Sequence, residues 1–359
     1  MIADLWYNSL KIFDFEPLEE TAVGTLSLLP LHGNEFSLGL CRIYGILNTK
    51  IIEISRKKGV LFFMLQMKEV HISDKAWVDA ALEGCPHNTL EYNFTSTFIW
   101  RKIYNFKLAQ KKDWFILFSD SKKPSFLYPY GKGEIKPILD EIMAYCEKKG
   151  INPAFHSVST QAKEELELLY PGQFSFTLVR DAADYIYERE SLATLKGKKL
   201  SAKRNHINRF LEAYPNWRYE RITKENIEEV YRMNLKWCAA VDCSNDPGLQ
   251  EEACAVKQAF RYFFDLKLDG GLLRAQDDIV AFSMGDRLNA QTYLVHIEKA
   301  FADINGAYPM MNKQFVLENT EGYQFVDRED DAGEEGLRKA KLSYRPAIIS
   351  EKYFANYIG

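Results

Sequence analysis

The sequence predicts an α+β (mixed α/β) fold of about two domains. Short apolar segments of strand length alternate with amphipathic segments of helical period over most of the chain. In the second half, three predicted strands joined by tight turns precede a helix and one more strand, an order typical of a mixed sheet. A length of 359 residues fits about two domains of ordinary size.

The composition is that of a folded, slightly acidic chain. It carries 46 Lys and Arg residues against 50 Asp and Glu residues, a net charge of −4. It therefore lacks the overall basic excess that sequence-independent phosphate binders normally show. A hydrophobic content of 47% excludes global disorder. The sequence has neither the ~18–20 consecutive apolar residues that cross a bilayer nor a signal-peptide pattern. We therefore expect no integral membrane segment and a cytoplasmic location.

The cysteines predict neither a disulfide scaffold nor a metal site. Six cysteines in this length are too few for a scaffold, and no two have Cys-x-x-Cys spacing. A cytoplasmic location predicts reduced, mostly buried thiols. The sequence also lacks a Walker loop, a Gly-x-Ser-x-Gly motif and a metal-spaced cluster. The cysteines are Cys41, Cys85, Cys146, Cys238, Cys243 and Cys254.

Residues 1–66 are predicted to be an N-terminal extension. They contain short apolar runs without sustained helical or strand period, and they end in a Lys-Lys-Gly-Val stretch at 57–60. Two hypotheses stay open. Either the segment is a genuine small extension, or the native chain starts at Met64 or Met67 and the segment is not native.

The first predicted domain covers residues 67–194. Its helix at 133–149 has an apolar stripe and ends at Gly150, and its helix at 74–82 begins at a Ser-Asp cap. Apolar or alternating runs between charged clusters predict the strands. The elements are strand 69–72, helix 74–82, helix or turn 95–104, strands 113–118 and 125–129, helices 133–149 and 160–169, and strand 174–179.

The second predicted domain covers residues 195–359. The predicted elements are helix 201–213, strand 217–222, helices 224–241 and 247–268, strands 272–275, 279–288 and 291–298, helix 309–319, strand 323–327, helix 334–344 and strand 346–350. Strands 272–275, 279–288 and 291–298 are expected to form an antiparallel meander. Its third strand is expected to lead through helix 309–319 to a parallel neighbour, strand 323–327. Ligands of such sheets sit where strand ends meet a helix N-terminus, which here is the loop 299–308.

This element order resembles the GCN5-related N-acetyltransferase fold. The runs 195–210 and 327–344, with the short stretches 296–299 and 306–308, resemble the family of the C-terminal catalytic domain of bacterial phosphatidylglycerol lysyltransferase. The resemblance extends over about residues 67–359. It implies two tandem acyl-CoA N-acyltransferase-like domains, as in Fem-type aminoacyl transferases, and transfer of an acyl or aminoacyl group.

Two departures from these relatives bear on the substrates. The lysyltransferase has a multi-helix membrane domain, which this sequence lacks, so the acceptor stays open between a small molecule, a peptide and a lipid headgroup. The stretch matching the coenzyme A pyrophosphate loop keeps Gly306 but has Asp303 at a position that is usually cationic or neutral, and Tyr308 at a small-residue position. Both acyl-CoA and aminoacyl-tRNA remain candidate donors.

A basic run at 196–209 is the first candidate ligand-binding feature. Lys199, Lys203 and His206 share one face of the predicted helix. The run is predicted to hold donor phosphates, of tRNA or of a coenzyme A derivative. The alternative is a solvated helix that pairs with the acidic run 329–335. The candidate donor-binding residues are Lys203, Arg204, Asn205, His206, Asn208 and Arg209.

The second charged run, 327–344, has acids before bases along a predicted helix. A helix dipole alone favours that arrangement, which is the structural alternative. The functional hypothesis is that acids such as Glu329 hold an ammonium group while cations meet an anion. The candidate cations are Arg328, Arg338 and Lys341.

His296 and Glu298 are two residues apart on a predicted strand and therefore face the same side. Either could accept a proton from an attacking amine, with Tyr308 and Asn312 orienting the substrate. The alternative is a structural His296 and a Glu298 paired with Lys299 or Arg338. The leading prediction is an acyl or aminoacyl transferase acting on an amine or hydroxyl. The alternative is a non-catalytic module of the same fold that binds a nucleotide or tRNA.

Overall fold

A computed structural model describes residues 54–57, 60–63, 65–111 and 113–359. The strands are β1 Ile54–Lys57, β2 Val60–Phe63, β3 Met67–Glu69, β4 Phe106–Lys111, β5 Trp114–Ser119, β6 Ser125–Leu127, β7 Tyr130–Gly131, β8 Ala154–Val158, β9 Phe174–Leu178, β10 Asp184–Glu188, β11 Arg218–Arg221, β12 Asp269–Ala275, β13 Asp278–Arg287, β14 Thr292–Ala300, β15 Phe325–Asp327, β16 Ile348–Ser350 and β17 Tyr353–Tyr357.

The α-helices lie between these strands, singly or in groups, in chain order. They are α1 Lys75–Ala81, α2 Phe94–Trp100, α3 Ile135–Lys149, α4 Thr160–Leu169, α5 Arg189–Thr194, α6 Ser201–Ala213, α7 Ile227–Ala240, α8 Pro247–Arg261, α9 Phe263–Leu266, α10 Ala307–Asn319 and α11 Glu335–Leu342. The helix predicted over 247–268 is divided at Tyr262, which leaves the helical conformation. The break turns the side chains of Phe263 and Leu266 into the core, where both are buried.

The first large sheet has the order β3-β4-β5-β6-β8-β17-β9, with β7 paired to β5. Strands β6 and β8 are parallel, and α3 connects them. Helix α3 ends at Gly150, whose φ of 66° is the left-handed conformation that glycine adopts without strain. Apolar side chains of α3 and α4 pack with those of the sheet in one continuous core.

The second large sheet has the order β11-β12-β13-β14-β15-β10-β16. Its antiparallel meander β12-β13-β14 leads through α10 to β15, which is parallel to β14, as predicted. The parallel pairing joins only residues 292–294 to residues 325–327. Strand β14 runs on to Ala300, and past Leu294 it has no partner on the β15 side among the described residues. This leaves an opening beside the second half of β14.

Each large sheet contains one strand from a distant part of the chain. Strand β10 precedes α6 but pairs with β15 and β16, and β17 at the end of the chain pairs with β8 and β9. Ion pairs lie beside these two strands. Lys352, just before β17, has its Nζ 2.9 Å from both Asp184, the first residue of β10, and Glu91. A third apolar core contains residues of both halves, such as Phe115 and Phe282. The domain boundaries drawn from the sequence stay a prediction.

The structure bears on the cysteines and, in small part, on the N-terminal segment. Cys238 and Cys243 form a disulfide, so the expectation of reduced thiols is wrong for this pair. Cys85, Cys146 and Cys254 are free, and of these Cys254 is exposed and not buried as expected. The turn between α7 and α8 brings the paired Cα atoms to 5.2 Å, within disulfide range. Cys41 lies outside the described residues. The hypotheses on residues 1–66 also stay predictions, since only 54–57, 60–63 and 65–66 of that segment are described.

Candidate functional site

The opening beside β14 collects the residues that the sequence singled out. Glu298 and His296 project from the unpartnered half of β14 on the same face. Arg328 and Glu329 follow directly after the end of β15. Ligands of sheets with parallel strands commonly bind where neighbouring strands part in this way.

Glu298, Arg328 and Asn312 form a bonded group in this opening. Arg328 Nη2 donates to Glu298 Oε1 at 2.8 Å, and Asn312 Nδ2 donates to Glu298 Oε2 at 3.0 Å. The Asn312 residue is 1% exposed, and the side chains of Glu298 and Arg328 are 10% and 13% exposed. Arg328 Nη1 and Asn312 Oδ1 are buried and have no hydrogen-bond partner among the described residues. Because buried polar atoms are nearly always paired, this donor and this acceptor point to a partner outside the described residues, such as an ordered water or a ligand.

Lys203, on α6, adds a second cation to this group. Its Nζ lies 4.0 Å from the ring centroid of Tyr344, and the Arg328 guanidinium lies 4.8 Å from the same centroid. Burial and the charge of Arg328 lower the pKa of Lys203 to about 8, although Glu298 opposes this shift. No carboxylate lies within ion-pair distance of Lys203 in the part of the chain that the structure describes. The sequence flagged Lys203 as a phosphate ligand but did not indicate its contact with Tyr344.

His296 is held between two carboxylates. Its Nδ1 lies 2.9 Å from Glu329 and its Nε2 lies 3.0 Å from Asp286, and the imidazole is 1% exposed. Burial opposes the charge of the ring, but Asp286 and then Glu329 outweigh burial and raise the pKa of His296 to about 10. The ring is therefore an imidazolium that donates through both nitrogens. It has no free nitrogen with which to accept a proton.

Asp286 connects this imidazolium to the first half of the chain. It accepts hydrogen bonds from Asn93 Nδ2 at 2.9 Å and from Thr95 Oγ1 at 2.5 Å. Burial opposes its charge, but His296 holds the pKa of Asp286 below its usual value. Asp286 is not among the residues singled out from the sequence, although a carboxylate in a mostly apolar predicted strand, 279–288, is a signal that could have found it.

The basic run lies mainly on α6, and its members have different roles. Arg204 Nη1 donates to the carbonyl oxygens of Leu195 and Gly197, so it holds the turn before the helix. The ion pairs of the described residues do not join this run to the acids 329–335. Exposed polar residues are available to solvent on the same helix. These are Asn205, His206, Asn208 and Arg209.

The loop that matches a pyrophosphate cradle is packed against α6. Gly306 has φ 87°, and a Cβ added there would overlap the backbone carbonyl of His206 and lie 2.9 Å from the Cβ of Phe210. His206 Nδ1 also lies 2.9 Å from Asn305 Oδ1. The glycine is therefore required for packing, and its open side is covered by the helix. With Asp303 exposed in the same loop, these residues fit the pyrophosphate of coenzyme A poorly.

Arg338 and Lys341 stabilise the segment that carries Arg328. Arg338 bonds to Asp331 through Nε at 2.8 Å and Nη2 at 2.7 Å. Lys341 Nζ donates to the backbone carbonyls of residues 328–330, at 2.5 Å for Arg328. Glu329 lies in the left-handed region with φ 57°, so the segment is strained and these bonds hold it. The Lys341 ammonium is thus engaged within the protein and not free to meet an anion, whereas the guanidinium of Arg338 is paired with Asp331 and stays partly exposed.

The remaining predicted residue, Tyr308, is half-buried at the first turn of α10. Burial raises the pKa of its hydroxyl, and hydrogen bonds with the Ala300 backbone and Trp237 oppose the shift. Among the described residues there is neither a His, Cys, Asp and Glu group that could hold a metal ion nor a helix long and apolar enough to cross a membrane.

Comparisons with known proteins agree with this architecture. A conserved protein of unknown function from Bacteroides thetaiotaomicron has 37% sequence identity and a TM-score of 0.80, and the match covers 82% of this chain and all of that chain. The L-PGS structure from Bacillus licheniformis matches with a TM-score of 0.55 at 17% identity, over 79% of this chain and 92% of that chain. At this identity the likeness shows the fold alone.

A curated relative covers a smaller part. An uncharacterised protein from Mycoplasmoides gallisepticum is 28% identical over 184 residues, which are 49% of this chain and 57% of that protein. The chain thus spans little more than half the length of this relative. The family model for the C-terminal part of phosphatidylglycerol lysyltransferase matches residues 83–356.

The predicted mixed α+β fold class is confirmed, with two large sheets in the part of the chain that the structure describes. The family match covers most of the chain, including every residue of the opening beside β14. The chain belongs to the family of the phosphatidylglycerol lysyltransferase C-terminal domain.

Proposed function

We propose that this protein transfers an aminoacyl group, or a related acyl group, from an activated donor to an amine or hydroxyl acceptor. The observation that carries the proposal is the Glu298–Arg328–Asn312 group, with Arg328 Nη1 and Asn312 Oδ1 buried and unpartnered. An aminoacyl group offers an ammonium donor next to a carbonyl acceptor. Those two groups complement a free acceptor oxygen and a free guanidinium nitrogen.

In this arrangement the protein contributes orientation and electrostatics. Arg328 Nη1 would donate to the donor carbonyl and stabilise the negative charge that develops on it during attack. Asn312 Oδ1 and the nearby Glu298 carboxylate would bind the ammonium group. Fixing the carbonyl in this way also positions it for the acceptor.

Aminoacyl-tRNA is the donor that we favour. The family is named for a lysyltransferase, and lysyl is an aminoacyl group. The exposed face of α6 carries Arg209, His206 and the amides of Asn205 and Asn208, which could contact phosphates. Coenzyme A fits the covered Gly306 loop poorly, so we derive no step through it.

The proposal is tested by comparing charged with uncharged tRNA. Filter binding of mixed aminoacyl-tRNA and of deacylated tRNA is measured for wild type, Arg328→Ala and Glu298→Gln. We expect wild type to prefer the charged form and both variants to lose that preference while still binding deacylated tRNA. Labelled acetyl-coenzyme A serves as the competing donor, and its tighter binding would refute the donor assignment.

Transfer itself is measured with labelled aminoacyl-tRNA and two acceptor probes, phosphatidylglycerol vesicles and a short peptide with a free amine. Product formation by wild type and its loss in Arg328→Ala are expected. The basic run at 196–209 is tested separately with Lys199→Ala/Arg209→Ala, which should weaken tRNA binding and flatten its salt dependence. The matched control is Lys122→Ala/Lys123→Ala, which removes two exposed lysines elsewhere.

The second candidate function is a binding module for tRNA or a nucleotide without catalysis. It is favoured by one observation, the exposed polar and basic face of α6. This alternative predicts equal binding of charged and uncharged tRNA, no turnover, and indifference to Glu298→Gln. The two functions therefore differ in the same assay.

A further inference from the structure

Lys203 is the one cation of the opening whose charged atom has neither a carboxylate nor a hydrogen-bond acceptor among the described residues. Its Nζ lies over the Tyr344 ring, on the same ring that contacts Arg328. We propose that Lys203 in its neutral form is the general base of the transfer reaction, accepting the proton of the attacking acceptor. This inference rests on the proposed function.

The other candidate bases are already engaged. Both ring nitrogens of His296 donate to carboxylates. Both oxygens of Glu298 accept hydrogen bonds, one of them from the guanidinium of Arg328. A carboxylate so paired is a poor proton acceptor, because protonation would break its ion pair. Lys203 is the nearby group whose lone pair, once deprotonated, is free to point into the opening.

The surroundings of Lys203 favour the neutral amine, above all because burial disfavours the charged form. Arg328, on the segment after β15, repels the ammonium, and Glu298 on β14 attracts it less strongly because Arg328 neutralises that carboxylate. Tyr344, after α11, covers one side and removes water. The pKa of Lys203 is accordingly lowered to about 8, where a lysine can exchange protons near neutral pH.

Each bond and each proton of the proposed step is accounted for. The acceptor nitrogen or oxygen forms a bond to the donor carbonyl carbon, and its proton passes to the neutral amine of Lys203. The bond from that carbon to the donor ester oxygen then breaks. The resulting Lys203 ammonium returns its proton to the leaving oxygen, which restores the neutral amine for the next cycle.

An NMR titration, which does not depend on activity, tests whether the pKa of Lys203 is lowered. The intact protein is labelled with [ε-¹³C]lysine, and the Lys203 signal is identified by its absence in Lys203→Arg. We expect its carbon shift to titrate with a midpoint near 8. A midpoint above about 10, the value of an ordinary lysine, would overturn the proposal.

The substitution Lys203→Arg separates a base from a phosphate clamp. Arginine keeps the positive charge but does not deprotonate, so it can replace a clamp and not a base. We expect kcat for aminoacyl transfer to fall at least about 100-fold in Lys203→Arg, with KM for aminoacyl-tRNA changed by less than about threefold. Wild-type kcat/KM should rise with pH up to about 8, and this limb should vanish in the variant.

Lys203→Ala is the second variant and tests for chemical rescue. If its defect is the missing amine, added ethylamine should restore part of its activity. An active wild type with an equally active Lys203→Arg would refute the base while leaving the proposed function intact. An inactive wild type, tested with the same donor and acceptors, would refute both. Retained binding of charged tRNA by both variants is the check that they are folded.

Discussion

Replacing His296 by Gln tests whether the imidazolium between Asp286 and Glu329 is charged. Glutamine retains a hydrogen-bond donor but removes the positive charge, leaving two buried carboxylates near each other. Breaking a buried ion pair in this way costs about 3–5 kcal/mol of the free energy of unfolding. The structure also predicts how that loss depends on pH.

The pH dependence follows from the raised pKa of His296. Its ordinary value of 6.5 applies to the unfolded chain and about 10 to the folded one. The stabilisation is therefore fully present below pH 6.5 and is lost as the pH rises through about 10. For these two values the linked stabilisation is about 4 kcal/mol at pH 7 and below about 1 kcal/mol at pH 10.

The assay is urea unfolding of wild type and His296→Gln at pH 7 and pH 10, followed by tryptophan fluorescence. Titrating groups away from this cluster are common to both proteins, so the difference between them reports His296 together with Asp286, whose pKa His296 lowers. The control is His206→Gln, which changes an exposed histidine and should shift the unfolding free energy by less than about 1 kcal/mol. A loss in His296→Gln of equal size at both pH values would refute the assignment of a buried imidazolium.

Three further predictions concern stability, each measured by urea unfolding at pH 7. Lys341→Met should cost about 3 kcal/mol, since it leaves the carbonyls of residues 328–330 without their donor; a loss below about 1 kcal/mol contradicts the role given to Lys341. Gly306→Ala should cost at least about 2 kcal/mol, because the new Cβ meets the His206 carbonyl at positive φ, and unchanged stability would contradict the packing of α6 on this loop. Lys352→Met should cost about 3–5 kcal/mol by leaving its two carboxylate partners unpaired, and a neutral result would show that they do not depend on it.

Local patterns predicted much of the second sheet correctly. The amphipathic period gave helix α6 its observed bounds, and the tight turns of the meander placed β12, β13 and β14. The crossover from β14 to its parallel neighbour also follows from local order and handedness. These features depend on residues close together in sequence.

Strand pairings between distant parts of the chain were not predicted from the sequence. Strand β17 pairs with β8 and β9, almost 200 residues earlier, and β10 pairs with strands beyond residue 324. Neither pairing has a local signal, because a strand's period reports which face is buried and not which strand lies beside it.

The candidate site was predicted in composition but not in pairing. The sequence brought forward Glu298, Arg328, Asn312 and Lys203, but the only ion-pair partners it offered for Glu298, in the structural alternative, were Lys299 and Arg338. The observed partner is Arg328, because β15 ends beside β14 and delivers that side chain to the same opening. Charge and spacing identify candidates along a chain, but only the parallel register decides which two of them meet.

The most direct test of the account is the preference of this protein for aminoacylated over deacylated tRNA. The equilibrium dissociation constants of both are measured at one salt concentration for wild type and for Arg328→Ala. The account predicts tighter binding of the charged form by wild type and equal binding of both forms by the variant. Equal binding of both forms by wild type would contradict the claim that the opening beside β14 holds an aminoacyl group.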